Sequence, residues 1–325
     1  MVKMVVYGRG CFDQTADIIK PHRKGDYPFI YIVDDVFKDK QELIGRVPLS
    51  GTDKIVFASA ADEPKTKQVD AIANELKDTY GEVSGVIGIG GGSMLDLAKA
   101  KNVKAFMFTS SSEVYGDPDP NFVPTKEEYR GNVSILGPRA VYDESKRIGE
   151  TMCEAFYNVY DIPTRCVRPF NVYGPGIRPD DYRVLPNFVE HALRREPLPV
   201  HGDGRNTRAY CYINDAIECI FRILLTEECS GESFNIGNPD QEISVKGLAD
   251  IVKEVVEEEV PSFTVNINFT EPPLAVYADS DPKRRCPDIS KVNKFTGYEP
   301  KYSLKEGLSR TIKWYQEVHP KNVKN

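Results

Sequence analysis

At 325 residues, with 40% hydrophobic and 28% charged, the chain is long enough for a large core and reads as an ordinary globular protein of one or two domains. A formal net charge of −7 argues against a general binder of polyanions. Seven scattered cysteines without a Cys-x-x-Cys pair predict reduced thiols and a cytoplasmic setting, and four isolated histidines predict that no catalytic metal is held.

Short apolar runs alternate with helix-period segments, the pattern of βαβ units. Strands are predicted over Met4–Tyr7, Phe29–Val33, Lys54–Ala58, Gly85–Ile89, Ala105–Thr109 and Thr164–Arg168. Helices are predicted over Asp13–Ile19, Lys67–Tyr80, Ser93–Ala100, Tyr142–Tyr160, Leu185–Arg194, Ile213–Leu225, Val245–Glu258 and Leu304–His319. The stretch Asp281–Pro287 reads as a basic loop bounded by prolines. The expected architecture is α/β, a Rossmann-like doubly wound parallel sheet with helices on both faces. No apolar run approaches the ~20 residues of a membrane helix, and the first residues lack the apolar run of a signal peptide.

Two motifs carry chemistry. Gly90-Gly91-Gly92-Ser93 follows a predicted strand and opens a helix. Three glycines let backbone N–H groups approach a phosphate without Cβ clashes, Ser93 is a good N-cap, and the helix N-terminus favours an anion. A plain strand-to-helix turn needs fewer glycines, so a phosphate group is the expected ligand. Downstream, Ser111-Ser112-Glu113 ends a β-rich run, and Tyr142 and Lys146 stand four apart on a predicted helix, hence on one face. A neighbouring ammonium favours the phenolate of a tyrosine, which suits it to take a proton from an alcohol. A lone Tyr-x-x-x-Lys is common on surface helices; the three groups in this order are not.

From about Asn102 onward the chain resembles the extended short-chain dehydrogenase/reductase family, in particular its nucleotide-sugar members. The likeness rests on Thr109–Pro118, Tyr142–Arg147, Arg168–Gly176, Gly202–Tyr210, Phe234–Gly237 and Arg284–Asp288. Residues 1–101 lack that family's Gly-x-x-Gly-x-x-Gly turn. They resemble instead the amino-terminal domain of iron-dependent alcohol dehydrogenases, through Val5–Gly10, Val33–Phe37 and Gly88–Lys99. The expected organisation is thus a nucleotide-binding part over 1–101 and a catalytic part over 102–325, with a smaller carboxy-terminal substrate lobe mostly in 175–325.

The resemblance implies NAD as cofactor, held by Gly90, Gly91, Gly92 and Ser93 with Tyr142 and Lys146, and a UDP-sugar as substrate. It implies Tyr142 as base, Lys146 as its partner and Ser111 as a bridge to the sugar hydroxyl. Ser112-Glu113 matches the members that decarboxylate UDP-glucuronate; the 4,6-dehydratases carry Asp-Glu there, and the 4-epimerases usually no carboxylate. Arg208 matches an arginine near the sugar carboxylate, Arg285 and Arg284 a clamp on the diphosphate, and Asn171 and Arg183 nucleotide contacts. The family also implies a homodimer through the Tyr142 helix. A 4-epimerase, a 4,6-dehydratase, or an inactive sugar-nucleotide-binding hybrid with an impaired NAD site stay open as alternatives. An alcohol dehydrogenase working through the front half alone would lack that family's metal domain.

Overall fold

The computed structural model describes residues 23, 25–34, 38–45, 47, 49–58, 78–79, 85–89, 103–177, 181, 183–259, 263–271 and 281–318. The expected elements Met4–Tyr7, Asp13–Ile19 and Ser93–Ala100 lie outside them, as does the glycine turn Gly90–Ser93. In chain order the larger elements are β1 (Phe29–Asp34), α1 (Gln41–Ile44), β2 (Lys54–Ala58), β3 (Gly85–Ile89), β4 (Phe106–Thr109), α2 (Ala140–Tyr160), β5 (Thr164–Pro169) and β6 (Val172–Tyr173). There follow α3 (Val184–Leu193), β7 (Leu198–His201), β8 (Thr207–Ala209), β9 (Cys211–Tyr212), α4 (Ile213–Leu225), β10 (Glu232–Ile236), β11 (Glu242–Ser244), α5 (Val245–Glu259), β12 (Ile267–Thr270), β13 (Arg284–Arg285), α6 (Ser290–Thr296) and α7 (Leu304–Val318). The chain is α/β, and its strands pair as β2-β1-β3, β10-β5-β4, β11-β8-β13, β12-β7 and β6-β9.

The chain divides into two compact units. The first takes Met1–Thr109, Ile148–Cys166 and Glu227–Glu232. In it β1 runs parallel to β2 and β3, with Ile30 opposite Lys54 and Val86. Phe29, Tyr31 and Val33 are buried with Val47, as the alternate residues of one strand face must be. A second cluster joins Val103, Phe106, Cys153, Ile162 and Cys166, with Met152 and Phe156 of α2 packed against it. Ile148 and Val159 of the same helix are instead exposed. Gly149 brings the helix backbone close to β4: a Cβ there would lie 2.2 Å from the Phe108 ring. Gly149→Ala is therefore expected to destabilise the protein by about 1–3 kcal/mol through overpacking, read as a lowered melting temperature.

The second unit takes Ser110–Arg147, Val167–Thr226 and Ser233–Asn325. Its main core packs α3, α5 and α7 through Phe188, Val189, Leu248, Val252, Leu308 and Ile312. These positions recur at helical spacing, so each helix buries one stripe. A small sheet sets β8 between β11, antiparallel, and β13, parallel, with Arg285 in register with Arg208. The stretch expected as a loop over Asp281–Pro287 thus contains a two-residue strand; β8 supplies the hydrogen-bonding partner that no local pattern announces. Asn235 at the end of β10 is wholly buried, and its amide nitrogen donates to Thr125 O at 2.9 Å and Asp288 O at 3.1 Å.

Candidate active site

Ser111, Ser112 and Glu113 sit at the start of a single 3-10 turn, Ser112–Tyr115. The Ser111 hydroxyl caps it, accepting from Glu113 N at 3.3 Å. Gly116 ends it with φ of 62°, and a Cβ there would stand 2.0 Å from Asn132 O, so only glycine fits. Tyr115 anchors the turn in the interior; its hydroxyl donates to Asn235 Oδ1 at 2.8 Å and accepts from Arg168 at 2.6 Å. Glu113 therefore projects from a backbone fixed at both ends.

Its carboxylate is gripped by two guanidiniums. Arg285 reaches it with both terminal nitrogens, one at 2.7 Å, and also donates to Gly116 O at 3.0 Å. Arg139 pairs with the same carboxylate. Burial alone would push the Glu113 carboxyl up, but hydrogen bonds and charge from Arg285 and Arg139 outweigh it and hold the group at about 2. The chain of charges continues. Arg139 lies 3.5 Å from Asp281 Oδ1, and Asp281 Oδ2 lies 2.8 Å from Arg208 Nη2. Arg285, Glu113, Arg139, Asp281 and Arg208 thus alternate in sign along one row. The structure brings together three residues singled out from the sequence, Glu113, Arg208 and Arg285, and adds Arg139 and Asp281.

Tyr142 and Lys146 fall in the first turns of α2, with the Lys146 ammonium 5.5 Å from the centre of the Tyr142 ring. Burial lowers the Lys146 pKa. Tyr142 N donates to Arg139 O at 3.0 Å, so the tyrosine follows one turn after the Glu113 partner. Arg183, just ahead of α3, forks onto Asp181 through Nε at 3.0 Å and Nη2 at 2.8 Å. That contact chiefly raises its pKa, with a smaller contribution from Tyr142. Asn171 holds a left-handed φ of 40° and donates to Ala209 O at 3.1 Å.

Asp143, next to Tyr142, is 5% exposed, and its Oδ1 has no hydrogen-bond partner. Burial, then the nearby charge of Glu113, raises its carboxyl to about 6, against the partial opposition of Arg139 and Arg285. The folded state thus prefers the protonated acid more than the unfolded chain does. Stability should rise as pH falls from above about 6 towards the ordinary value of 3.8. Asp143→Asn is expected to be more stable than the parent by about 1–3 kcal/mol at pH near ~8, with the gap closing near pH ~4. Melting curves at the two pH values check this.

Among the described residues no group of three His, Cys, Asp or Glu is assembled to hold a metal ion, and no helix is long and apolar enough to cross a membrane.

A model of the NAD dependent epimerase/dehydratase family matches residues 87–237, and one of iron-containing alcohol dehydrogenases matches residues 3–124. UDP-glucuronic acid decarboxylase 1 of Arabidopsis thaliana is 35% identical over 318 residues, covering 96% of this chain and 69% of its own. The chain belongs to the NAD dependent epimerase/dehydratase family. Two further relatives in that family are UDP-glucuronic acid decarboxylase 2 of the same plant, 40% identical over 69% of this chain, and UDP-glucuronic acid decarboxylase 1 of Xenopus tropicalis, 39% identical over 70%. The chain spans 47% and 51% of these two. Solved structures share the fold. UDP-glucose 4-epimerase of Thermotoga maritima superposes with a TM-score of 0.70 at 22% identity, covering 98% of this chain and 99% of its own. UDP-glucuronic acid 4-epimerase of Bacillus cereus gives 0.61 at 21%, covering 90% and 100%.

The cofactor of this epimerase/dehydratase is NAD. Tyr142 and Lys146 fit its nicotinamide ribose: a phenol and an ammonium share one helix face, and the ammonium is partly desolvated. Arg139, Asp143 and Asp281 are functional candidates that sequence reasoning did not single out. Arg139 precedes the tyrosine helix without a motif of its own. In the sequence Asp281 only opens a basic loop.

Proposed function

We propose that the chain converts UDP-glucuronate to UDP-xylose and CO2, by oxidation at C4, decarboxylation and re-reduction. The observation that supports it best is Arg208, a largely buried guanidinium already paired to a carboxylate in the same row of charges as Glu113. Such a site prefers a sugar with an acid at C6 over one with a neutral hydroxymethyl.

In this reading Tyr142 takes the proton of the C4 hydroxyl, with Ser111 donating to the same oxygen. Lys146 stabilises the phenolate and holds the ribose hydroxyls. When bound, NAD supplies a reversible acceptor for the C4 hydride. The C4 ketone lies β to the carboxylate, so the C5–C6 bond breaks with its electron pair passing into an enolate. Tyr142, by then a phenol, donates to the C4 oxygen, and protonation at C5 from solvent followed by return of the hydride to C4 gives UDP-xylose. Arg208 orients the departing carboxylate, and Glu113 fixes Arg139 and Arg285 around it. Arg285, 3% exposed and committed through all three nitrogens to Glu113 and Gly116 O, reaches the diphosphate only by exchanging one of those partners. Asn171 and Arg183 contact the nucleotide, and Gly90–Ser93 the pyrophosphate of the cofactor. We further propose a cytoplasmic homodimer through α2, whose Val141, Ile148 and Val159 are exposed in the single chain.

Nuclear magnetic resonance of the product tests the reading. UDP-glucuronate should give UDP-xylose, and UDP-glucose should give no product. UDP-galacturonate from the first, or a 4-keto-6-deoxy sugar from the second, would instead make the chain a 4-epimerase or a 4,6-dehydratase.

A further inference from the structure

We propose that Asp281 is an internal stand-in for the sugar carboxylate, competing for Arg208 and thereby limiting how tightly acidic sugars bind there. The inference rests on the reading of Arg208 given above.

Arg208 is fixed by its own strand: Nη1 donates to Thr207 O at 2.8 Å, which leaves the Nη2 edge facing Asp281 Oδ2 at 2.8 Å. The two partners are unequally buried. The Arg208 side chain is 11% exposed and that of Asp281 41%. A buried guanidinium is costly without an anion, whereas a half-exposed carboxylate gives up its partner for water at little cost. The anion is therefore the partner that leaves.

The rest of the row cannot exchange in this way. Glu113, at 19% exposure, is held by Arg285 and Arg139 together, so its release would strand two cations. Asp281 touches Arg139 only at 3.5 Å. It is nonetheless delivered to its place firmly. Lys283 N, two residues on, donates to Asp117 Oδ1 at 2.9 Å, and Arg284–Arg285 then pair with Thr207–Arg208.

The consequence is a charge-for-charge exchange. A sugar carboxylate replaces the Asp281 carboxylate on Arg208, and the count of charges around the guanidinium does not change. A hydroxymethyl group offers no replacement, so a neutral sugar must either leave the pair intact or leave Arg208 without an anion. The competition therefore falls on acidic sugars alone, and a neutral sugar that leaves the pair intact does not feel it.

Calorimetric titration of the full chain with UDP, UDP-glucose and UDP-glucuronate, NAD present, tests this. Asp281→Asn removes the competing charge at almost constant shape. UDP-glucuronate should bind about fivefold or more tightly than to the parent, while UDP and UDP-glucose stay within about twofold. Asp281→Ala should behave alike if charge is the cause, and serves if the asparagine variant fails to fold. Unchanged or weaker binding of UDP-glucuronate, or equal shifts for all three ligands, would overturn the inference. Arg208→Gln separates the two levels. If it weakens UDP-glucuronate relative to UDP but Asp281→Asn tightens nothing, the stand-in role alone fails. If Arg208→Gln leaves that ratio untouched, the reading of Arg208 fails and the inference with it.

Discussion

Tyr142→Phe is expected to lower CO2 release from UDP-glucuronate by about a thousandfold, the scale on which a positioned acid–base group contributes. UDP affinity should stay within about twofold, because the lost hydroxyl serves the reacting sugar and not the nucleotide. The tyrosine ring is half exposed and sits in the first turns of α2, so removing one oxygen leaves the packing of the helix alone. Single-turnover mixing with UDP-glucuronate should show no reduced nicotinamide in the variant, since the first proton transfer is blocked. A variant that still turns over near the parent rate would remove Tyr142 from the base role.

Glu113→Gln is expected to act on stability and activity together. The parent carboxylate is the shared anion of Arg285, 3% exposed, and Arg139. An amide keeps part of the hydrogen bonding but removes the charge, leaving a buried guanidinium short of an anion. Breaking a buried pair from one side costs about 3–5 kcal/mol. The exposed edge of Glu113 and the Arg285 bond to Gly116 O place this case at the lower end, about 3 kcal/mol. The sign of the pH dependence follows. Glu113 has a folded pKa of about 2, below its ordinary 4.5, so the stability it contributes is present above pH 4.5 and is lost as pH falls towards 2. The parent should therefore lose stability across that window more steeply than the glutamine variant does. Turnover should fall as well, because Arg139 and Arg285 lose their common anchor. Chemical denaturation at neutral and acid pH, with turnover measured on the folded fraction, checks both halves.

What could be read from the chain in advance follows from range. The strands Lys54–Ala58 and Gly85–Ile89 and the helix Ile213–Leu225 stand where the sequence places them. Each is a run of apolar residues with a local period, and each is closed by polar or turn-forming neighbours. The Tyr142–Lys146 pair was legible for the same reason, since four residues on a helix is a local distance. The charge row was not. Glu113 meets Arg285 across 172 positions and Arg208 meets Asp281 across 73, and nothing in either neighbourhood encodes the other. The strand Arg284–Arg285 was hidden for a related reason: two residues between prolines carry no period, and only β8 makes them a strand. The helix Ser290–Thr296 was too short to show a stripe, although Gly297, left-handed at φ of 63°, stops it where a glycine should. Asp143 carries no signal in the sequence, because a first-turn aspartate is ordinarily a helix-start charge; only its burial and the nearby charge of Glu113 distinguish it.

Incubating the purified chain with NAD and UDP-glucuronate labelled in the carboxylate tests the central claim most directly. The account predicts labelled CO2 equal to the substrate consumed, with no net accumulation of reduced nicotinamide. Bound substrate that keeps its label, or reduced nicotinamide that builds up in step with substrate loss, would contradict it.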